Sequence, residues 1–306
     1  MKALGVIINV LAVIVAGGVG SIFRGKLKAR YQEIIVRGVG LLAMVLAIFG
    51  VVQSWFIFQD KQIELSDSIL VILALLIGTV LGEALDMEDL LNRLGRLFKK
   101  FAGEELTDGK KKSQKPTKTH VPATPAAGGK TGTQAQKKTN ANRTAKKRVR
   151  LSELPVYNLP SERSGHRFVD GFVIASLFVS MSSLVLNGAV KSVGGSPELL
   201  YYKSAIDFVA MLALASVYGT GVCFAAAPLA LCEGGATILA VVADGFFTDT
   251  LVRQLSVIGS IVVLLVGVNL AFRKKWKAAN IIPALLIPVV YYWVNDLVAK
   301  LAEKGS

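Results

Sequence analysis

The stretch LYYKSAIDFVAMLALASVYGTGVCFAAAPLALCEGGATILAVV (residues 200–242) contains two apolar runs, 200–218 and 222–242, separated only by Gly219-Thr220-Gly221. Each run has about the 20 mostly apolar residues that a helix needs to cross a membrane. The second run also contains Pro228 and the pair Gly234-Gly235, which weaken a helix. The stretch therefore predicts two full membrane spans, or one span followed by a re-entrant segment.

Six more apolar runs of similar length complete the pattern. They cover residues 3–22, 34–58, 66–85, 168–190, 255–272 and 278–297. Hydrophobic residues make up 53% of the 306-residue chain and charged residues only 18%, whereas a soluble domain has about 25% charged residues. We therefore predict an all-α fold, a polytopic transmembrane helical bundle of about eight spans.

Basic residues are concentrated between the third and fourth runs. Residues 86–165 contain 18 Lys and Arg but only 8 Asp and Glu, which accounts for most of the formal net charge of +14. Because this charge lies in one polar insert between membrane runs, it does not indicate a nucleic-acid partner. The chain then divides into an N-terminal membrane part (1–85), the insert, and a C-terminal membrane part (166–297).

The insert itself has two parts. Residues 86–103 begin with acidic and end with basic side chains, and their leucines and phenylalanines recur at helical intervals. This pattern predicts an amphipathic cytoplasmic helix, which either lies on the inner membrane surface or continues span three and packs on the protein. Residues 104–165 lack the large apolar side chains needed to fold, so we predict a disordered, lysine-rich cytoplasmic linker. Its charge favours contact with anionic lipid.

The distribution of basic residues in short loops predicts the orientation. Residues 24–30 and loop 273–277 each contain four basic residues, whereas loop 59–65 is poor in them. Short basic loops remain in the cytoplasm, so both termini are predicted outside and residues 86–165 inside. Only Lys2 precedes the first run, which is typical of a signal-anchor rather than a cleaved signal peptide.

Glu233 is the most informative polar residue in the apolar runs. It lies eleven residues into the sixth run, near the middle of the bilayer at about 1.5 Å per residue. Charged groups at this depth are costly and indicate function by default. Pro228 removes a backbone donor just before it, and Gly234 loosens the helix just after it. A carboxylate beside a broken helix is typical of transporter sites, although a protonated glutamate bonded between helices is the structural alternative.

Three other polar residues join Glu233 in the predicted site. Asp207 lies seven residues into the fifth run, about 10 Å deep, and Lys203 lies one turn earlier on the same face. These two either neutralise each other structurally or belong to a pathway, and Asn9 in the first run can hydrogen-bond between helices. The predicted substrate or ion pathway comprises Glu233, Asp207, Lys203, Asn9, Pro228 and Gly234.

A second polar group is predicted near the cytoplasmic helix ends. Arg37, Glu83 and Asp170 each lie within about two turns of such an end, where a long side chain can reach water. Arg37 can pair with Glu83 or Asp170 across helices, in a structural or a functional role. Asn187 and Asn269, also near helix ends, are candidates for interhelical hydrogen bonds.

Several kinds of site receive no support from the residues. Cys223 and Cys232 are too far apart along one helical run to form a disulfide. No cluster has metal-ligand spacing, and Gly128-Gly129-Lys130-Thr131 lacks the upstream glycine and the strand of a phosphate-binding loop. We therefore expect no metal, no cofactor and no catalytic residues, and predict that the protein is not an enzyme.

Weak internal similarity relates the two membrane parts. Gly5-Val6-Ile7 is similar to Gly171-Phe172-Val173-Ile174, and residues 43–47 are similar to residues 210–215. The paired runs cross in opposite directions, so the similarity favours an inverted repeat of spans 1–3 and 4–6.

Several motifs resemble a known family. They are Asn9 with Gly17-Gly18, Gly82-Glu83, Asp170-Gly171-Phe172-Val173, Lys203-Ser204-Ala205-Ile206-Asp207 and Gly219-Thr220-Gly221-Val222. These residues resemble the YqgA/YdfK family of bacterial membrane proteins, a domain-of-unknown-function family, over residues 1–100 and 166–297 but not the lysine-rich insert. Asp170 stands where the resemblance implies Glu, and Glu233 where it implies Gln. The resemblance implies a multi-pass protein of the bacterial cytoplasmic membrane and a transport role without a defined substrate.

Two functional hypotheses follow. The first is a transporter or channel-like protein for an unknown ion or small solute, with its polar site near the bilayer midplane. The second is a non-transporting membrane scaffold that acts through its basic insert on lipid or on a partner. A homo-oligomer is compatible with both.

Overall fold

The structure is a computed structural model that describes residues 4–59, 62–65, 68–103, 164–193, 198–242 and 247–305. Most of the predicted linker, residues 104–163, lies outside the described residues. The helices are α1 (Leu4–Ile22), α2 (Ala29–Trp55), α3 (Ser68–Leu85), α4 (Met87–Phe101), α5 (Ser164–Met181), α6 (Ser183–Val193), α7 (Glu198–Tyr218), α8 (Thr220–Val242), α9 (Asp249–Phe272) and α10 (Leu286–Gly305), the last preceded by a 3-10 segment (Ala278–Leu285).

The helices have the length and composition of membrane spans. Within the described ranges, six helical segments are long and apolar enough to cross a membrane, and two bent pairs bring the number to as many as eight. Val45 and Val80 are 64% and 70% exposed on the outside of the bundle, a surface that lipid covers in a membrane protein. The predicted helical membrane bundle is confirmed. α8 is one helical segment of 23 residues. For residues 200–242 this favours two full spans, α7 and α8, over one span followed by a re-entrant segment.

The second predicted span is shorter than expected because a hairpin follows it. α2 ends at Trp55, whereas the apolar run continues to Phe58. Strand β1 (Phe56–Gln59) pairs antiparallel with strand β2 (Gln62–Leu65). Aromatic and β-branched residues favour strands, so the end of this apolar run leaves the helix.

The fourth predicted span is bent in its middle. α5 ends at Met181, α6 begins at Ser183, and the two axes differ by 51°. Serine hydroxyls compete with the helix for backbone hydrogen bonds, and serines occupy positions 180, 182 and 183. The bend also packs closely on α9, because Gly259 of α9 lies directly against the carbonyl group of Met181 at the end of α5.

Glycines bring the main helix pairs into close contact. α1 runs parallel to α7, with Gly5 beside Leu200 and Gly20 beside Ala215. α2 runs antiparallel to α9, and α3 runs antiparallel to the 3-10 segment. At Gly82 an added Cβ would overlap the carbonyl oxygen of Asn280, so only glycine allows this contact between the backbones. This packing holds α1 and α7 together around the residues of the predicted pathway.

α4 has two apolar surfaces. One surface packs on the protein, where the ring of Phe98 lies 5.3 Å from that of Phe172 and 5.5 Å from that of Phe224. The other surface exposes a stripe of large side chains: Leu90, Leu94, Leu97 and Phe101. α4 bends away from α3 by 54°, and it therefore combines both positions that its sequence leaves open, packing on the protein and facing outward.

Candidate functional site

The predicted break in α8 is a change of helix type. The helix begins as a 3-10 segment (Thr220–Ala225), becomes α-helical over Ala226–Leu229, forms a π-helical turn over Ala230–Gly234, and is α-helical again to Val242. Pro228 lies two residues before the start of the π turn, and Glu233 lies inside it. π turns occur frequently at functional sites because their extra residue redirects a side chain.

The redirected Glu233 side chain enters the centre of the bundle. Its exposed fraction is 0%, as is that of Asn9 on α1. The Asn9 amide nitrogen donates to both carboxylate oxygens of Glu233, at 3.2 Å and 3.0 Å. The Asn9 amide oxygen is buried and has no hydrogen-bond partner among the described residues. The interhelical hydrogen bond expected of Asn9 is therefore present, and one strong acceptor remains unused beside it.

Lys203 and Asp207 on α7 complete the arrangement. Their side chains form the predicted ion pair, and the two residues are only 1% and 3% exposed. Asn9 also interacts with the Asp207 carboxylate, and both Lys203 and Asp207 interact electrostatically with Glu233. The structure thus brings Asn9, Lys203, Asp207 and Glu233 into one group, here called the central polar cluster. With all groups ionised its formal charge is −1, since two carboxylates face one ammonium group.

The central polar cluster does not open to the large cavity of the bundle. That cavity has a volume of about 1030 Å³ and lies between the bend in span four, α8, α9 and α10. Cys232 and Gly235 line it, but Glu233, which lies between them on the π turn, does not. One helix therefore separates the cavity from the cluster. Gly234 has open space at its Cβ position, so its role is not to allow close packing.

The predicted group near the cytoplasmic ends is not assembled as expected. Arg37 pairs with Glu33 one turn earlier on α2, at 2.9 Å, and not with Glu83 across helices. Glu83 is bound instead by Lys277, at 2.7 Å, and by the Asn280 amide, at 2.6 Å. Asp170 interacts electrostatically with Glu88 on α4. Of the two partners predicted as possible for Arg37, pairing with Glu83 is therefore not observed, because Arg37 and Glu83 each bind another group of opposite charge.

The residues around Glu83 form a second network that the motifs do not reveal. The Asn280 side chain donates to Glu83 and accepts from the backbone N–H of Glu88, at 2.9 Å. It thereby satisfies a free donor at the start of α4. The hydrogen bond from Lys277 to Glu83 raises the pKa of Lys277 above its usual value. We call Glu83, Asp86, Lys277 and Asn280 the surface polar network.

Asn187 and Asn269, the other two asparagines predicted to bond between helices, have different kinds of hydrogen-bond partner. Asn187 donates to the Ser256 hydroxyl on α9, at 3.0 Å, so the predicted interhelical bond is confirmed. Asn269 binds the backbone of Trp276 in the following loop, through its amide nitrogen at 2.7 Å and its amide oxygen at 3.0 Å. It closes a loop instead of joining two helices. No group of three metal-binding side chains occurs in the part of the chain that the structure describes.

Comparison with known proteins places the chain in a family. A family model described as "Protein of unknown function (DUF554)" matches residues 4–124 and 125–293. The chain belongs to the DUF554 family. This DUF554 protein is 24% identical over 291 residues to the uncharacterized membrane protein YdfK of Bacillus subtilis (strain 168), which covers 95% of the chain and 96% of YdfK. No solved structure matches it.

These matches confirm the resemblance read from the motifs and correct its extent. The matched ranges meet at residues 124 and 125, inside the lysine-rich insert, which the motifs leave outside the family. The protein is thus a membrane protein of the DUF554 family, and both of its membrane parts belong to that family.

Proposed function

We propose that this DUF554 protein is a transporter or channel-like protein that binds an ion or a small polar solute at the central polar cluster. The observation that carries the proposal is the enclosed group of Asn9, Lys203, Asp207 and Glu233, each at most 3% exposed. The ligand class follows from the charge: a group with formal charge −1 favours a cation or a solute with a cationic group.

The energetic cost of the cluster argues against a purely structural role. Placing an ionisable side chain at the centre of a membrane costs about 2.5–3.5 kcal/mol by insertion scales. Lys203 and Asp207 offset part of that cost for each other, but among the described residues Glu233 has only the amide of Asn9 as a direct donor. A packing role is met at lower cost by apolar side chains of the same volume. Glu233 and the unused Asn9 oxygen are better explained as ligand-binding groups.

The local backbone around Glu233 supports movement of a ligand. On the π turn, Glu233 lies between Cys232 and Gly234. Cys232 lines the cavity, and Gly234 has open space at its Cβ position. A rearrangement of this one turn from π to α geometry would reorient Glu233 between cluster and cavity. The enclosed cluster then corresponds to an occluded state, in which the ligand is shielded from both sides.

The proposed location is the bacterial cytoplasmic membrane, with both termini outside and residues 86–165 in the cytoplasm. The basic loops support this orientation. It places the cavity in the outer half of the membrane, since the cavity borders the end of α8 and the beginning of α9. An impermeant thiol reagent in sealed vesicles is expected to label Cys232 from the outside, and labelling only from the inside would reverse the orientation.

Flux measurements in proteoliposomes test the transport proposal. The panel comprises labelled sodium, rubidium, magnesium, ammonium, polyamines and amino acids. We expect wild-type protein to move at least one of them, and Glu233→Gln and Asp207→Asn to abolish that flux. Glu198→Gln is the matched control, because Glu198 lies at the exposed start of α7. No flux for any member of the panel, or unchanged flux in Glu233→Gln, would contradict the proposal.

A second candidate function is a scaffold that acts through the insert. The exposed apolar stripe of α4 favours it, because this stripe leads directly into the lysine-rich segment. In this case anionic lipid, a partner protein or a second copy of the chain is the binding partner. Deletion of residues 104–150 separates the two functions: the scaffold loses its activity, whereas a transporter keeps its flux.

A further inference from the structure

A second, much smaller cavity connects with the central polar cluster. Its volume is about 20 Å³, and Asp207 forms part of its wall. The other polar residues of the wall are Ser182, Ser183 and Ser260. A cavity of this size holds about one water molecule, so it is too small for a hydrated metal ion.

Ser182 links this small cavity to the large one. It lines the cavity of about 1030 Å³ and also the cavity beside Asp207. Ser182 stands at the bend between α5 and α6, and its hydroxyl oxygen is buried without a hydrogen-bond partner among the described residues. A polar atom buried in this way costs about 1–3 kcal/mol, so an unpaired hydroxyl between two cavities needs an explanation.

The next hydroxyls along the route converge on one point of α2. The side chains of Ser183 and Ser260 both meet the position that a Cβ atom of Gly50 would occupy. Ser260 donates its proton to the Ser256 carbonyl oxygen, at 2.7 Å, and its oxygen can still accept. A hydroxyl group donates and accepts at the same time, which is the property that a proton relay requires.

We infer that a proton reaches Asp207 from the large cavity by way of the Ser182 hydroxyl and one water molecule between Ser182, Ser183 and Ser260. A hydronium ion in the cavity gives up one proton, each group on the route accepts one proton and donates another, and a carboxylate becomes a carboxylic acid. The proton brings the formal charge of the cluster from −1 to zero.

Within the part of the chain that the structure describes, two charged groups face Asp207. Lys203 lies on its own helix, and Glu233 faces it from α8. The residues that α2, α5, α6 and α9 contribute to the wall of the small cavity are apolar or serine. Because Asp207 and Glu233 interact electrostatically, a proton on either carboxylate changes the charge that the other one faces. This inference rests on the proposed transport function and identifies the proton as its coupling ion.

Infrared spectroscopy of the purified protein tests the route directly. Transfer into D2O shifts the carbonyl stretch of a carboxylic acid, and the rate of the shift reports how fast protons reach it. Bands lost in Asp207→Asn or Glu233→Gln assign the signal to the cluster. We expect Ser182→Val and Ser260→Val to slow this exchange by about tenfold or more, since the first removes a relay hydroxyl and the second removes a hydroxyl that holds the relaying water molecule. Ser182→Thr keeps the hydroxyl and restores the rate.

Ser216→Val is the matched control. Ser216 is a buried serine of α7 whose hydroxyl bonds to the Ala213 carbonyl oxygen, at 2.7 Å, and it lines neither cavity. Its replacement should leave the exchange rate unchanged. Circular dichroism and size-exclusion profiles identify any variant that misfolds. Ser182→Val and Ser260→Val are two independent tests of the route, so one of them remains if the other misfolds.

Two results would overturn the inference: no exchanging carboxylic acid in the wild-type cluster, or equal rates in the wild type and in both valine variants. Solute flux without a pH gradient tests the transport proposal separately. Flux without proton exchange overturns the proton route and leaves transport standing. Proton exchange without flux overturns the transport function, and with it the role of the proton as coupling ion, but leaves the route standing.

Discussion

The central polar cluster and the surface polar network are built from the same residue types. Each contains an asparagine that binds a glutamate, Asn9 with Glu233 and Asn280 with Glu83, and each also contains a lysine and an aspartate. Their surroundings differ. The Glu83 and Lys277 side chains are 61% and 47% exposed, whereas all members of the central polar cluster are at most 3% exposed.

Because of this difference in exposure, a structural role explains the surface polar network but does not explain the central polar cluster. Water solvates the surface polar network, so its ion pairs contribute little and cost little. It joins α3, α4 and the 3-10 segment, and this structural role accounts for it. The central polar cluster has lost its solvation, and with all groups ionised its formal charge of −1 is not balanced within the described residues that surround it. This formal charge is the reason why we propose ligand binding at this cluster.

The largest expected effect comes from removing one lysine from each arrangement. Lys203→Met leaves Asp207 and Glu233 without a cation and should lower the free energy of unfolding by about 3–5 kcal/mol. Lys277→Met removes a solvated partner and should cause little measurable change. Unfolding in mixed micelles with increasing SDS measures both. Equal losses in the two variants would mean that burial does not distinguish the two sites.

The double variant Lys203→Met, Asp207→Asn tests the same comparison in a second way. Removing both charges of a buried pair is often nearly neutral, so stability should recover by roughly 2 kcal/mol or more relative to Lys203→Met. Transport should remain absent, because the binding group is gone. Recovery of flux together with stability would assign the cluster a structural role.

Two glycine variants compare backbone packing at the two sites. Gly82→Ala places a methyl group on the Asn280 carbonyl oxygen and should destabilise the protein by about 1–3 kcal/mol. Gly234→Ala meets nothing within 4 Å, so stability should stay the same or rise by about 0.4–1 kcal/mol. Thermal unfolding followed by circular dichroism measures both. A large loss in Gly234→Ala would show that the π turn depends on this glycine.

The sequence predicts the spans well because they depend on local hydrophobicity. Runs of about 20 apolar residues specify membrane helices without knowledge of their neighbours. Local chemistry also predicts the Lys203–Asp207 pair, which lies one turn apart on one helix. The bend at Ser182 was not predicted because it lies inside one apolar run, and the hairpin after Trp55 was not predicted because its first strand begins before the apolar run ends. The inverted repeat stays a prediction.

Contacts between distant segments account for the remaining differences. Depth and helix-breaking neighbours identify Glu233, but only the packing of α1 against α7 and α8 brings Asn9 to it. Arg37 and Glu83 have compatible charges and depths, and the sequence does not show that Glu33 and Lys277 are closer to them. Charge and depth identify candidates, whereas the choice of partner depends on helix packing.

The smallest expected effect is a pH dependence of the surface polar network. The pKa of Lys277 is raised in the folded protein by its hydrogen bond with Glu83. Its contribution to stability is therefore complete below the unfolded lysine pKa of about 10.4, and it is lost as the pH rises through the higher folded pKa. Thermal unfolding between about pH 8 and about pH 11.5 should show a slight alkaline loss in the wild type. Lys277→Gln should reduce that loss, whereas Lys274→Gln, a control in the same loop, should not. A steeper alkaline loss in Lys277→Gln than in the wild type would contradict the sign of the shift.

The pH dependence should also be sensitive to salt. Because the Lys277–Glu83 pair is exposed, high salt should weaken the alkaline loss of stability. An alkaline loss that salt does not change would mean that the network is less solvated than its exposure indicates.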